Sequence, residues 1–84
     1  MTARSKRKYY RDDEFLRMVG ERIRELRKAK GLTQLELSVA IGDKDNSQIH
    51  RMEAGKVNFS VSYLSLIAKI LEVSPEELLK PLDE

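Results

Sequence analysis

Three glycines in the middle of the chain, Gly31, Gly42 and Gly55, do most to limit what these 84 residues can become. Each follows a segment compatible with a helix, at the place where a left-handed residue closes the last turn and glycine bears no steric cost. Start signals stand opposite these stops. Thr33 with Glu36, Asp45 with Gln48, and Ser74 with Glu77 carry the cap-x-x-Glu/Gln spacing, Pro75 suits a first helical position, and Ser60 suits a cap. Punctuation this close leaves room only for short helices. The spacing predicts five, over about 13–30, 33–41, 45–54, 61–71 and 75–79. With no β pattern, internal repeat or Gly-rich phosphate loop, the chain reads as all-α.

The first predicted helix places Leu16, Val19, Ile23 and Leu26 on one face at spacings of three and four, which makes that face core. In the fourth, Val61, Leu64, Ile67, Ala68 and Leu71 form an apolar stripe that Tyr63, Leu66 and Ile70 extend sideways. An arc that wide exceeds what one core needs. It is covered either by Leu78 and Leu79 of the fifth helix or by a second subunit. Residues 1–12 carry five basic residues and no apolar period, so they read as a mobile arm ahead of a domain over 13–80 and an acidic tail over 81–84. The arm is either a solvated tail or a strand that follows phosphates.

The chain contains no cysteine and one histidine, which removes disulfides, thiolate metal sites and paired-imidazole sites, and no metal or cofactor is expected. No acid/base or nucleophile constellation is present, so the chain is not expected to be an enzyme. No stretch approaches the roughly 20 apolar residues of a membrane span, and the reading is a soluble cytoplasmic protein. The net charge of +2 conceals a gradient: residues 1–30 sum to +6, 31–56 to −1 and 57–84 to −3. A basic front half fits a polyanionic partner, and it equally fits a need for solubility.

The run "GDKDNSQIHRMEAGK", Gly42 to Lys56, has only Ile49 and Met52 as large apolar residues. At about 100° per residue, Ile49, Met52 and Glu53 share one side of a helix and Asn46, Ser47, His50, Arg51 and Ala54 the other. Amide, hydroxyl, imidazole and guanidinium groups make directional hydrogen bonds, which suits a reading surface better than a merely solvated one.

"GLTQLELSVAIG" followed by "NSQIHRMEAGKVNFSVSYLSLIAKILEVSPEELL" resembles the Cro/C1-type (XRE-like) helix-turn-helix regulators over about residues 18–80. The match runs in order through Thr33-Gln34, Leu37, Gly42, Ile49, Glu53, Gly55, the apolar spacing of the fourth helix and "VSPEELL". Two departures stand out. Six residues separate Gly42 from Ile49 where the family pattern has five, so the turn is one longer, and that turn carries Asp43 and Asp45.

The resemblance implies a five-helix lambda-repressor-like DNA-binding domain whose third helix enters the major groove, with Asn46, Ser47, His50 and Arg51 facing base edges. The chemistry agrees, because Asn matches adenine N6 and N7 and Arg matches guanine O6 and N7. Thr33 and Gln34 are implied as phosphate clamps, with Lys44, Lys56 and Asn58 as candidate backbone contacts. Gln48 either completes the Asp45 cap or touches DNA. The family pattern pairs Glu53 with Arg27 in a structural role. Tyr63, Leu66, Ile70, Leu79 and Leu82 are the candidate dimer face. The expected partner is a double-stranded DNA operator, near-palindromic and bound by a homodimer. An antitoxin or protein-interaction module is the alternative, with a toxin or RNA polymerase as protein partner.

Overall fold

The computed structural model describes residues 10–81 as four α-helices and one 3₁₀ turn, with no strand among them. Helix α1, Asp13–Ala29, starts where the Asp12 carboxylate accepts the Phe15 amide at 3.0 Å. It buries Leu16, Val19, Gly20, Ile23 and Arg27 along one stripe. Helix α2, Gln34–Ala40, opens with a full capping box: the Glu36 amide donates to Thr33 Oγ1 at 3.0 Å, and the Thr33 amide to Glu36 Oε1 at 2.9 Å. Helix α3 is Ser47–Glu53. Helix α4, Val61–Leu71, is capped by Ser60, whose Oγ accepts the Tyr63 amide at 3.1 Å.

Each helix stops in the same way. An amide two or three residues past the last helical residue returns to a carbonyl inside the last turn: Leu32 to Arg27, Asp43 to Ser38, Lys56 to Arg51 and Val73 to Ala68, at 2.9–3.1 Å. This closure needs a left-handed residue between. At the first three stops it is glycine; at the fourth it is Glu72, with φ +62°.

Two expected elements differ. The fifth, Pro75–Leu79, is a 3₁₀ turn instead of an α-helix. Pro81 restricts Lys80 to extended backbone, observed at φ −96° and ψ 144°, so no further turn can be added. Its expected capping box is absent as well, because the Glu77 carboxylate is taken by Arg22 at 2.9 Å and Lys80 at 3.2 Å. Helix α3 begins two residues later than the spacing predicts, for reasons that belong to the site below.

Val19 and Ile23 of α1, Leu37 of α2, Ile49 and Met52 of α3, Leu64, Ile67, Ala68 and Leu71 of α4, and Leu78 form one buried cluster. Leu78 is fully buried, so the 3₁₀ turn does cover part of the wide apolar arc of α4. Full burial of such a side chain contributes about 1.5–3 kcal/mol. The backbones of α1 and α3 approach closely at Gly20. A Cβ on Gly20 would fall on the Met52 carbonyl oxygen and lie 2.6 Å from that of Glu53. The carboxyl end of α3 is therefore pressed onto α1.

Candidate functional site

Seating α3 by its carboxyl end decides which side chains it shows. Ile49, Met52 and Glu53 are buried; Asn46, Ser47, His50 and Arg51 are exposed together. Gln48 lies half-buried on one flank.

Glu53 is buried because it is fully engaged. Its Oε2 accepts Arg27 Nε at 2.6 Å and its Oε1 accepts Arg27 Nη2 at 3.1 Å, a two-point pair in which both side chains are at least 90% covered. Arg27 Nη1 also donates to the Leu32 carbonyl at 2.7 Å. A charge pair this buried is held in place by the number of its bonds, and losing one partner would strand the other. Gln34, at the first position of α2, adds a third donor: its Nε2 reaches Glu53 Oε1 at 3.0 Å. Its other amide atom, Oε1, accepts Asn46 Nδ2 at 3.3 Å. A chain of side chains thus runs from the core pair through Gln34 to the exposed Asn46.

The start of α3 corrects the sequence reading. The spacing implies that Asp45 caps the helix with help from Gln48, and the structure shows neither. Asp45 Oδ1 accepts the amide of Ser47, only two residues on, at 2.9 Å, which bends the chain before the helix begins. Asn46 then occupies the cap position without a side-chain cap bond. Gln48 faces along the helix instead, where its Oε1 accepts Arg51 Nη2 at 2.8 Å. The Ser47 amide, and then its hydroxyl, hold the Asp45 carboxyl below its ordinary value, with a smaller pull from Arg51.

Asp43 has a partner that no local spacing announces. Its Oδ2 accepts the Tyr63 hydroxyl at 3.1 Å, from a ring half-buried against the core. Burial first, and then the bond and charge of Asp43, push the Tyr63 phenol up to about 12. Tyr63 therefore stands beside the turn into α3, with Lys44 and Arg51 around the same surface depression.

The remaining candidates separate. Thr33 is exposed at the start of α2, where its hydroxyl already serves the cap. Lys44 and Lys56 are exposed. Asn58 donates to the Tyr10 carbonyl at 3.0 Å, and Arg11 donates to the Lys56 carbonyl at 3.1 Å and to Asp13 at 2.6 Å. Of the expected mobile arm, Tyr10 and Arg11 are thus held against the loop after α3 and Asp12 caps α1; residues 1–9 lie outside the described residues. Of the expected dimer face, Leu66 is 37% and Leu79 41% exposed, while Tyr63 and Ile70 are half-buried against the core and Leu82 lies outside the described residues. Leu79 instead shares an apolar groove with Phe15 and Val61, which are 45% and 81% exposed and were not expected to be functional. Gly20 was also missed, although a lone glycine inside an apolar-periodic helix is a sign of close approach.

Among the described residues no cluster of His, Cys, Asp or Glu could hold a metal, and no helix is long and apolar enough to cross a membrane. A helix-turn-helix family model matches residues 23–78. Among solved structures, the chain is similar to the restriction-modification controller protein C.AhdI from Aeromonas hydrophila. That match has 40% identity, covers 75% of this chain and 94% of that one, and has a TM-score of 0.70. It is similar to the restriction-modification controller protein C.Esp1396I, solved as a tetramer in complex with its natural 35-base-pair operator: 31% identity, 82% of this chain, 100% of that one, TM-score 0.67. SinR, a master regulator for biofilm formation solved in complex with DNA, matches at 33% identity over 75% of this chain and 100% of that one, with a TM-score of 0.67. Among curated proteins none matches.

Proposed function

Starting from the fact that the chain belongs to the Cro/C1-type helix-turn-helix family, we propose that it is a sequence-specific DNA-binding transcriptional regulator that reads a near-palindromic operator as a homodimer. The observation that carries this reading is the presentation of α3: its apolar side is seated on α1 and its exposed side offers Asn46, Ser47, His50 and Arg51 together. An α-helix fits the major groove, and these side chains carry the donors and acceptors that base edges require. Thr33 and Gln34 at the start of α2, with Lys44, Gln48, Lys56 and Asn58, are the proposed phosphate contacts. Arg11, tied beside Lys56, and the other basic residues of the amino-terminal segment are proposed to add to them. No part of this role calls for catalysis.

A single α3 of seven residues spans few base pairs, which is the physical reason to expect two copies on two half-sites about 34–36 Å apart. The exposed Phe15, Val61 and Leu79 are the apolar surface proposed to pair. A second reading, a module whose main partner is a protein, is favoured by Leu35 and Val39 of α2, 50% and 60% exposed.

The test begins with duplexes recovered by the protein from a random-sequence pool. Binding to a recovered duplex and to random duplex is then measured across salt. A DNA reader prefers the recovered duplex and loses affinity steeply with salt as counterions are released. A flat salt response, or no recovered sequence, sinks the DNA reading in favour of the protein module.

A further inference from the structure

Resting on the DNA reading, we infer that Tyr63 is a positioning residue for sequence recognition: its hydroxyl, by donating to Asp43, ties the lengthened turn before α3 to α4 and so sets where Asn46 and Ser47 meet the bases. The argument begins where the chain leaves α2. Gly42, at φ +97°, closes that helix, and the Asp43 amide returns to the Ser38 carbonyl at 2.9 Å, so the direction of exit is fixed. From Asp43 to the first residue of α3, Ser47, the chain crosses Lys44, Asp45 and Asn46 without helix. The Asp45 bond to the Ser47 amide is local to this stretch and shapes it without attaching it to anything else.

Two side-chain ties do attach it. At its far end Asn46 is held by Gln34 of α2, and at its near end Asp43 is held by Tyr63 of α4. Both ties have a fixed base: Gln34 rests on the buried Glu53, and Tyr63 rests on α4. Tyr63 sits in the first turn of α4, its amide fixed by the Ser60 cap and its ring packed on the core. The turn has one residue more than the related pattern, and ties at Asp43 and Asn46 confine the slack of that extra residue to Lys44 and Asp45. Placement matters at this position because a hydrogen bond weakens steeply with distance and angle. Loss of one well-made base contact changes discrimination on the order of tenfold.

The raised phenol of Tyr63 keeps its proton throughout the neutral range, as a permanent donor should. The competing account is electrostatic: Asp43 matters only because its charge repels phosphate, and Tyr63 merely masks it. The two accounts differ in the ratio of selected to random affinity, because a change in net charge acts on both DNAs alike.

The experiment uses the full chain, a duplex selected by the wild-type protein from a random pool, and random duplex of equal length. Tyr63→Phe and Asp43→Ala should each lower the selected-to-random ratio on the order of tenfold, and the double variant should be no worse than either alone. Asp43→Asn, whose amide oxygen still accepts the phenol proton, should keep the wild-type ratio. Loosening of the fold would lower both affinities together and leave the ratio in place. An unchanged ratio in Tyr63→Phe overturns the inference, as does a loss in Asp43→Asn equal to that in Asp43→Ala. A wild-type protein that selects no sequence overturns the DNA reading itself, which keeps the two failures apart.

Discussion

Asn46 can offer a base only what Gln34 leaves free. The Glu53 carboxylate accepts and cannot donate, so Gln34 must turn its Nε2 toward it and present Oε1 to Asn46. That in turn fixes the Asn46 amide: one N–H goes to Gln34, and the other N–H and Oδ1 remain, which is the pair that adenine N7 and N6 require. Arg51, steadied by Gln48, carries the fork that matches guanine. Asn46→Ala and Arg51→Ala should each cost about 1–3 kcal/mol on a selected site. They should relax preference at one base pair and leave the unfolding midpoint near wild type. Equal losses on selected and random DNA in a binding assay would show that neither side chain reads bases. Tyr63 gives a second residue-level expectation. Its folded value, about 12, lies above the ordinary 10. Its contribution to stability is therefore complete below pH 10 and is lost as pH rises through 12. In a phenolate absorbance titration Tyr63→Phe should remove the ionisation near pH 12.

Between elements, the seat of α3 on α1 depends on an atom that is missing. Alanine is the better helix former by about 1 kcal/mol, so Gly20→Ala looks stabilising by propensity alone. Packing opposes it, because the new methyl would meet two backbone carbonyls of α3, which cannot rotate aside. Overpacking of this kind costs about 1–3 kcal/mol, and the net effect should be destabilising by urea unfolding; a stabilised variant would mean that α3 shifts freely. The same contact marks the limit of what the sequence made legible. Glycine stops at Gly31, Gly42 and Gly55 and the Thr33 cap follow from local geometry, and the structure has them. The cap expected at Asp45 fails because its carboxylate turns to the Ser47 amide and Gln48 to Arg51, and the box expected at Ser74 fails because Glu77 is taken by Lys80 and by Arg22, 55 residues away in sequence. The Tyr63 bond to Asp43, like that of Arg22 to Glu77, went unseen because tertiary context chooses among partners that sequence spacing leaves equal, and the Glu72 stop went unseen because a non-glycine residue carries no sign of a left-handed turn. Within the candidate site, the division of α3 into seat and display was readable from its period. Its starting residue was not.

For the molecule as a whole, the apolar surface beyond the core divides into separate patches. Phe15, Val61 and Leu79 surround one groove, and Leu66 lies about 140° around α4 from Val61, at 100° per residue. If the groove is the dimer contact, Val61→Glu and Leu79→Glu should sediment as folded monomers at micromolar concentration and lose affinity for a palindromic site. Leu66→Glu should remain dimeric; the reverse pattern would move the contact to the Leu66 side. The shared way in which the four helices end has a consequence for motion as well. Because the amides of Leu32, Asp43, Lys56 and Val73 return to carbonyls in the preceding turn, residues outside the helices are bonded into them. Connecting segments of this kind cannot fray alone, and they open only with the helix they close. In deuterium exchange followed by NMR, these four amides should show protection close to that of the helical amides just before them. Exchange at free-peptide rates would mean that the connections breathe independently. Protected connections make the display on α3 one body with the core, so that a ligand meets a surface already set.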